Sequence, residues 1–95
     1  MAYNPPLRGV AYKFYVAMTA QANPKTFLSA PTFASGEVQV SKDGGALANI
    51  TTLPTATGRL VEVNLSATEM TADNVAVQFL DGNGEWCDLL VAIQT

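Results

Sequence analysis

The sequence predicts an all-β protein: a single small antiparallel β-sandwich with one short helical crossover turn over residues 66–70, from Ser66 to Met70. Two observations carry that reading. Short segments alternate between two faces, with Val75, Val77 and Phe79 on one and Ala76, Gln78 and Leu80 on the other, and a period of two is the mark of a strand with one buried face. Residues that favour turns interrupt these segments roughly every 8–12 positions, the spacing of sandwiches and barrels. With 95 residues the chain holds one domain and one modest core.

The elements follow in order. Residues 1–9 read as an extended N-terminal arm ahead of a sandwich over 10–95. Pro5 and Pro6 remove backbone donors and favour an extended polyproline conformation, and Tyr3 and Leu7 give the arm apolar groups to bury on a neighbouring subunit. The alternative is a frayed terminus. Residues 10–18 form the first strand, with Val10, Tyr12, Phe14, Val16 and Met18 on one face; its β-branched and aromatic content favours strand over helix. Residues 19–36 are an irregular excursion punctuated by Pro24, Pro31 and Gly36, in which Phe27, Leu28 and Phe33 pin the loop to the core or to a neighbour. A loop of that length in so small a domain is often functional. Tyr3, Pro5, Pro6, Leu7, Phe27, Leu28 and Phe33 are accordingly the candidate assembly contacts.

Residues 37–50 form a hairpin. Val38 and Val40 point inward, and Asp43-Gly44-Gly45 supplies residues that tolerate positive φ in a tight turn. The returning strand opens at Leu47 and Ile50, runs on through Thr51, Thr52 and Leu53, and stops at Pro54. Residues 54–58 read as a second loop. Residues 59–65 form the next strand, with Val61, Val63 and Leu65 inward. Ser66 and Glu69 then stand in capping-box spacing, each side chain placed to satisfy a backbone N–H of the other. That one-turn crossover is expected to pass from the edge of one sheet to the strand at 74–81, in the centre of the other. After the Asp81–Glu85 turn, residues 86–95 close the domain. Cys87, Leu89, Val91 and Ile93 share one face of this segment, and Trp86, Asp88, Leu90 and Ala92 the other. Both faces are largely apolar, as in a central strand or one covered by a partner. About seven short strands of this kind match a small immunoglobulin-like sandwich.

Composition narrows the function. Charged residues make up 14% of the chain, against about 25% in typical soluble domains. The surface must then be largely Ala, Thr, Ser, Asn and Gln, which other protein can cover at little desolvation cost. That favours a permanent assembly over a neutral-surfaced monomer. Net charge is −3 with five dispersed Lys and Arg, so no basic patch exists for nucleic acid. No segment is long and apolar enough to span a bilayer, and no leader precedes the domain, so folding in a cytoplasm is expected. Cys87, the single cysteine, cannot form an intrachain disulfide. Its reading is a small buried apolar residue.

With no histidine, the common nucleophile–base pairs and thiolate–imidazole metal sites are missing. Carboxylates at Glu62, Glu69, Asp73, Asp81, Glu85 and Asp88 show no convergence that would make a hydrolase. Asp81-Gly82-Asn83-Gly84-Glu85 is similar to the start of a calcium loop, but the bidentate Glu further along does not follow, and a hairpin turn explains it. No catalytic residue, metal, cofactor or small-molecule substrate is therefore expected. A carbohydrate-binding reading remains, with Trp86, Tyr12 or Tyr15 as a stacking platform.

Four segments together resemble small virion proteins of tailed bacteriophages: Gly-Val-Ala-Tyr-Lys-Phe-Tyr-Val (9–16), Gly-Glu-Val-Gln-Val-Ser-Lys-Asp-Gly-Gly (36–45), Val-Asn-Leu-Ser-Ala-Thr-Glu-Met-Thr-Ala-Asp-Asn-Val (63–75) and Glu-Trp-Cys-Asp-Leu-Leu-Val-Ala-Ile-Gln-Thr (85–95). The likeness is to β-sandwich modules of capsid decoration proteins, head fibres and the N-terminal domains of tail or baseplate proteins. It implies a non-enzymatic structural protein on the outside of the virion head, with major capsid protein and copies of itself as partners, often as a homotrimer. A chain that is only a sandwich suits a decoration (cement) protein best. A neck, tail or baseplate adaptor is the alternative. The family lends no catalytic residue.

Overall fold

The structure, a computed structural model, describes residues 5–81 and 84–95. Among these residues seven strands form two antiparallel sheets: β1 (Tyr12–Val16), β2 (Val38–Lys42), β3 (Ala48–Asn49), β4 (Thr55–Thr57), β5 (Leu60–Leu65), β6 (Asn74–Phe79) and β7 (Leu89–Gln94). The first sheet has the order β1-β5-β4 and the second β3-β2-β6-β7. The molecule is 19 Å across its shortest axis, as two sheets about 10 Å apart require once outward side chains are added. The architecture is that of a small all-β sandwich.

Alternation puts the core between the sheets. Val61, Val63 and Leu65 of β5 face Val38 and Val40 of β2 and Val75, Val77 and Phe79 of β6, all buried. Tyr12, Phe14 and Val16 of β1 and Leu89 and Val91 of β7 pack against this cluster half-buried. Each Val, Leu or Phe removed from water contributes roughly 1.5–3 kcal/mol. The hairpin turn forms as its residues dictate, with Asp43 at φ 52° and Gly44 at φ 75°.

Several expectations are corrected. No helix occurs among the described residues; Ala67 to Met70 is a hydrogen-bonded turn. The reciprocal pair nevertheless forms: the Ser66 N–H donates to Glu69 Oε1 at 2.8 Å, and the Glu69 N–H to Ser66 Oγ at 3.1 Å. The Met70 N–H reaches the Ser66 carbonyl at 3.0 Å, but the Thr71 N–H goes back to the Thr68 carbonyl, and only its hydroxyl reaches that of Ala67. One closed turn without continuation does not propagate, because nucleation is costly and only elongation repays it. The crossover leaves the middle of the first sheet, since β5 lies between β1 and β4, and enters β6 between β2 and β7.

The loop expected at 54–58 contains β4, which pairs with β5 through Ala56 opposite Val61. The returning hairpin strand is only Ala48–Asn49, with Leu47 half exposed. The first strand begins at Tyr12, leaving Val10 exposed. The last strand is an edge strand beginning at Leu89. Trp86 is not on its outer face: it sits in the preceding loop, bridged to Ala20 and fully buried.

Candidate functional site

Four of the acidic residues have structural work. The Glu69 carboxylate accepts the Ser66 and Thr51 N–H groups at 2.8 and 3.0 Å. Asp43 Oδ1 accepts those of Asp73 and Asn74 at 3.1 and 2.9 Å. Asp81 Oδ2 accepts those of Glu85 and Trp86 at 2.6 and 3.0 Å, and Glu85 accepts the Thr32 hydroxyl at 2.8 Å. These carboxylates staple loops by charge-assisted bonds to backbone and hydroxyl donors. No cluster of three potential metal ligands occurs among the described residues. The Asp81–Glu85 segment is such a stapled turn over its described part; Gly82 and Asn83 lie outside the described residues.

Trp86 anchors the long excursion. Its ring lies 5.4 Å from Phe33 and 6.4 Å from Phe79, and its indole N–H donates to the Thr32 carbonyl at 3.2 Å. Phe33 also meets Phe79 edge-on at 6.2 Å. Leu28 packs half-buried on the core and donates its N–H to Met18 O at 2.7 Å. Leu28 and Phe33 are thus core pins. Phe27, bridged to Thr19, is 55% exposed.

In the arm, Pro5 is exposed, Pro6 half-buried and Leu7 exposed, while Tyr3 lies outside the described residues. Arg8 pairs with Asp73 at 2.7 Å and the Gly9 N–H donates to Met70 O at 3.0 Å. That places Leu7 at the Tyr12–Leu65 end of β1, whereas Phe27 lies beyond the Val16 end. The six described candidate contacts, Pro5, Pro6, Leu7, Phe27, Leu28 and Phe33, are not brought into one patch.

The two outer sheet faces differ. On the first, Glu62 collects Lys13 at 3.6 Å, the Tyr15 hydroxyl at 3.4 Å and the Asn64 amide at 3.1 Å. The Asn64 hydrogen bond, followed by Lys13 and Tyr15, holds the Glu62 carboxyl below its ordinary range.

On the second, register sets Leu90 beside Gln78 and Gln78 beside Gln39, with Ala92, Ala76 and Ser41 in the next row. Gln39 bonds Asn49 at 3.2 Å. None of these side chains is charged. At one end of the face Gln78, Leu80, Asp88, Leu89 and Leu90 line a shallow depression of about 300 Å³. This neutral face, ending at the open edge of β7, is the candidate site. Sequence reasoning did not name its residues, although the two-sided apolar character of the last strand was its signal. No protein-family model, curated protein or solved structure matches the chain.

Proposed function

We propose that this chain is a non-enzymatic structural module of a tailed-phage virion that attaches to other protein through the neutral face of β3-β2-β6-β7. The observation that carries the reading is that face: its rows Leu90-Gln78-Gln39 and Ala92-Ala76-Ser41 hold no charge, with Asp88 only at one end, and it is bordered by an open strand edge and cheap to desolvate. Its likeness to phage virion modules, read in the sequence, makes a capsid decoration protein the specific form, binding major capsid protein and copies of itself on the outer surface of the head. A ligand that binds only the assembled lattice stabilises it by mass action. The sandwich is of immunoglobulin type in this reading. β1, β5 and β4 take the places of strands B, E and D, and β3, β2, β6 and β7 those of C′, C, F and G.

The alternative is a neck, tail or baseplate position, which the same face serves at lower copy number. A stacking platform for carbohydrate finds less support, because Trp86 is buried and Tyr12 lies half-buried against Phe14, which leaves Tyr15, exposed with its hydroxyl on Glu62, as a lone ring. Immunogold labelling of intact phage particles tests the proposal. Dense label over the head is the expected result. Label confined to the neck or tail tip moves the protein there, and particles that contain no copy of it overturn the reading.

A further inference from the structure

The register of β7 shows which of its backbone groups face the open edge. Asn74 lies opposite Gln94, so Asp73 falls opposite Thr95, and the Thr95 N–H donates to Asp73 O at 3.0 Å. Hydrogen-bonded pairs recur at every second residue of an antiparallel ladder. Leu89, Val91 and Ile93 therefore spend their N–H and C=O groups on β6. Leu90, Ala92 and Gln94 turn theirs to the open side, where β7 has no neighbouring strand among the described residues. The other side of β6 agrees: the Asp43 N–H donates to Asn74 O and the Leu80 N–H to Glu37 O, so its even-numbered residues serve β2.

Edge strands are usually guarded by a charge, a proline, a bulge or a cover. β1 carries Lys13, and β4 is three residues long and follows Pro54. β7, Leu-Leu-Val-Ala-Ile-Gln, has no charge and no proline.

We infer that a second copy of this chain occupies the edge, β7 pairing with its own counterpart across a two-fold axis through Val91. A two-fold axis requires the patch to be complementary to itself. Directly opposed residues share a face of the sheet, so the axis must fall on a residue, not between two. On Val91 it opposes Leu90 to Ala92 of the second copy, edge-facing groups to edge-facing groups. Leu89 then meets Ile93 of the second copy over the core. Asp88 meets Gln94 of the second copy, an amide donor for a carboxylate that accepts no hydrogen bond from another described residue. An axis on Ala92 instead sets apolar Leu90 against polar Gln94, and one on Leu90 sets Asp88 against Ala92. Polarity matches on both faces only at Val91. The inference does not rest on the virion reading, and it puts a two-fold contact where the family resemblance implies a three-fold one.

Sedimentation velocity over a micromolar to millimolar series tests it. The expected result is a species of twice the 10.0 kDa monomer mass that grows with concentration. Leu90→Lys, at a side chain 65% exposed and so harmless to the fold, should weaken the dimer about tenfold or more by setting a charge against an apolar residue. Adding Ala92→Glu should restore it at low salt, because the Val91 axis opposes the introduced ammonium and carboxylate. Ala92→Pro, which removes an edge-facing N–H without taking a donor from the β6 ladder, should also give a monomer. A wild-type chain that stays monomeric throughout overturns the inference and leaves the edge to a strand of another protein. A dimer indifferent to Leu90→Lys, or a double variant no better than the single, overturns it equally.

Discussion

The two outer faces of this sandwich are built on the same alternating pattern and end in opposite chemistry. On the first sheet, Lys13, Tyr15, Glu62 and Asn64 form one cross-strand network around a single carboxylate. On the second, Leu90, Gln78, Gln39 and the Ala92-Ala76-Ser41 row carry no charge. The first face keeps its hydration because covering it would strip water from paired charges, a cost that their mutual attraction repays only in good geometry. The second loses little when covered. A protein with so few charges has spent one group of them on one face and others on its loops, and what is left bare is informative.

The comparison rests on a shared core, so the most damaging change removes that support from both faces. Trp86→Ala should cost about 3–5 kcal/mol by opening a cavity beside Phe33 and Phe79, read as a fall in the urea midpoint. An unchanged midpoint would mean the excursion is held by something other than this ring.

Cutting the link between the sheets comes next. Glu69→Ala leaves the Ser66 and Thr51 N–H groups without their acceptor, a loss of about 1–3 kcal/mol for the half-buried Ser66 donor, with less from Thr51, which is exposed to water. Hydrogen exchange should then speed up first at Thr51 and Ser66. Equal protection there would assign the turn's order to packing.

A charge on the neutral face sharpens the contrast at small cost to folding. Gln78→Lys, at a half-buried side chain on the outer face, should stay within about 0.5 kcal/mol of wild type in thermal stability, as surface substitutions usually do, while lowering any self-association or lattice attachment through that face. Binding that survives this change would place the contact elsewhere.

The smallest effect belongs to the charged face. Glu62 is held below its ordinary range in the folded chain. A carboxyl depressed on folding contributes stability above its unfolded pKa and loses it as pH falls through the folded value. Glu62→Gln should therefore match wild type more closely as the medium is acidified below the ordinary carboxylate range, with a slight deficit near neutrality. Curves that diverge on acidification would contradict that sign. Solvent screening keeps the difference small.

Much of this was legible from residue order. The phases of β2, β5 and β6 follow from Val38 and Val40, from Val61, Val63 and Leu65, and from Val75, Val77 and Phe79, because pleating sends alternate side chains to opposite faces whatever the sheet becomes. The Asp43-Gly44-Gly45 turn and the Ser66–Glu69 reciprocal bonds were equally local. Strand β4 was not: Thr55-Ala56-Thr57 between Pro54 and Gly58 has too short an alternation to signal a strand, and it becomes one because the edge of β5 is there to pair with. Residue order left open whether the excursion's apolar residues meet the core or a neighbour. Leu28 and Phe33 turned inward, since an apolar residue in a loop carries no mark of which surface it will meet.

By itself the sequence determined the all-β class, the inward set of the main strands and the scarcity of charge, all of which depend on composition and on neighbours two to four residues away. Tertiary structure alone decided that β5 lies inside its sheet, that Trp86 is buried, and that the apolar last strand stands at an edge. Those outcomes depend on which distant segments pair. The strand Leu-Leu-Val-Ala-Ile-Gln is compatible with a sheet's centre or its rim, and only the competition of β6 for one side of it leaves the other side open.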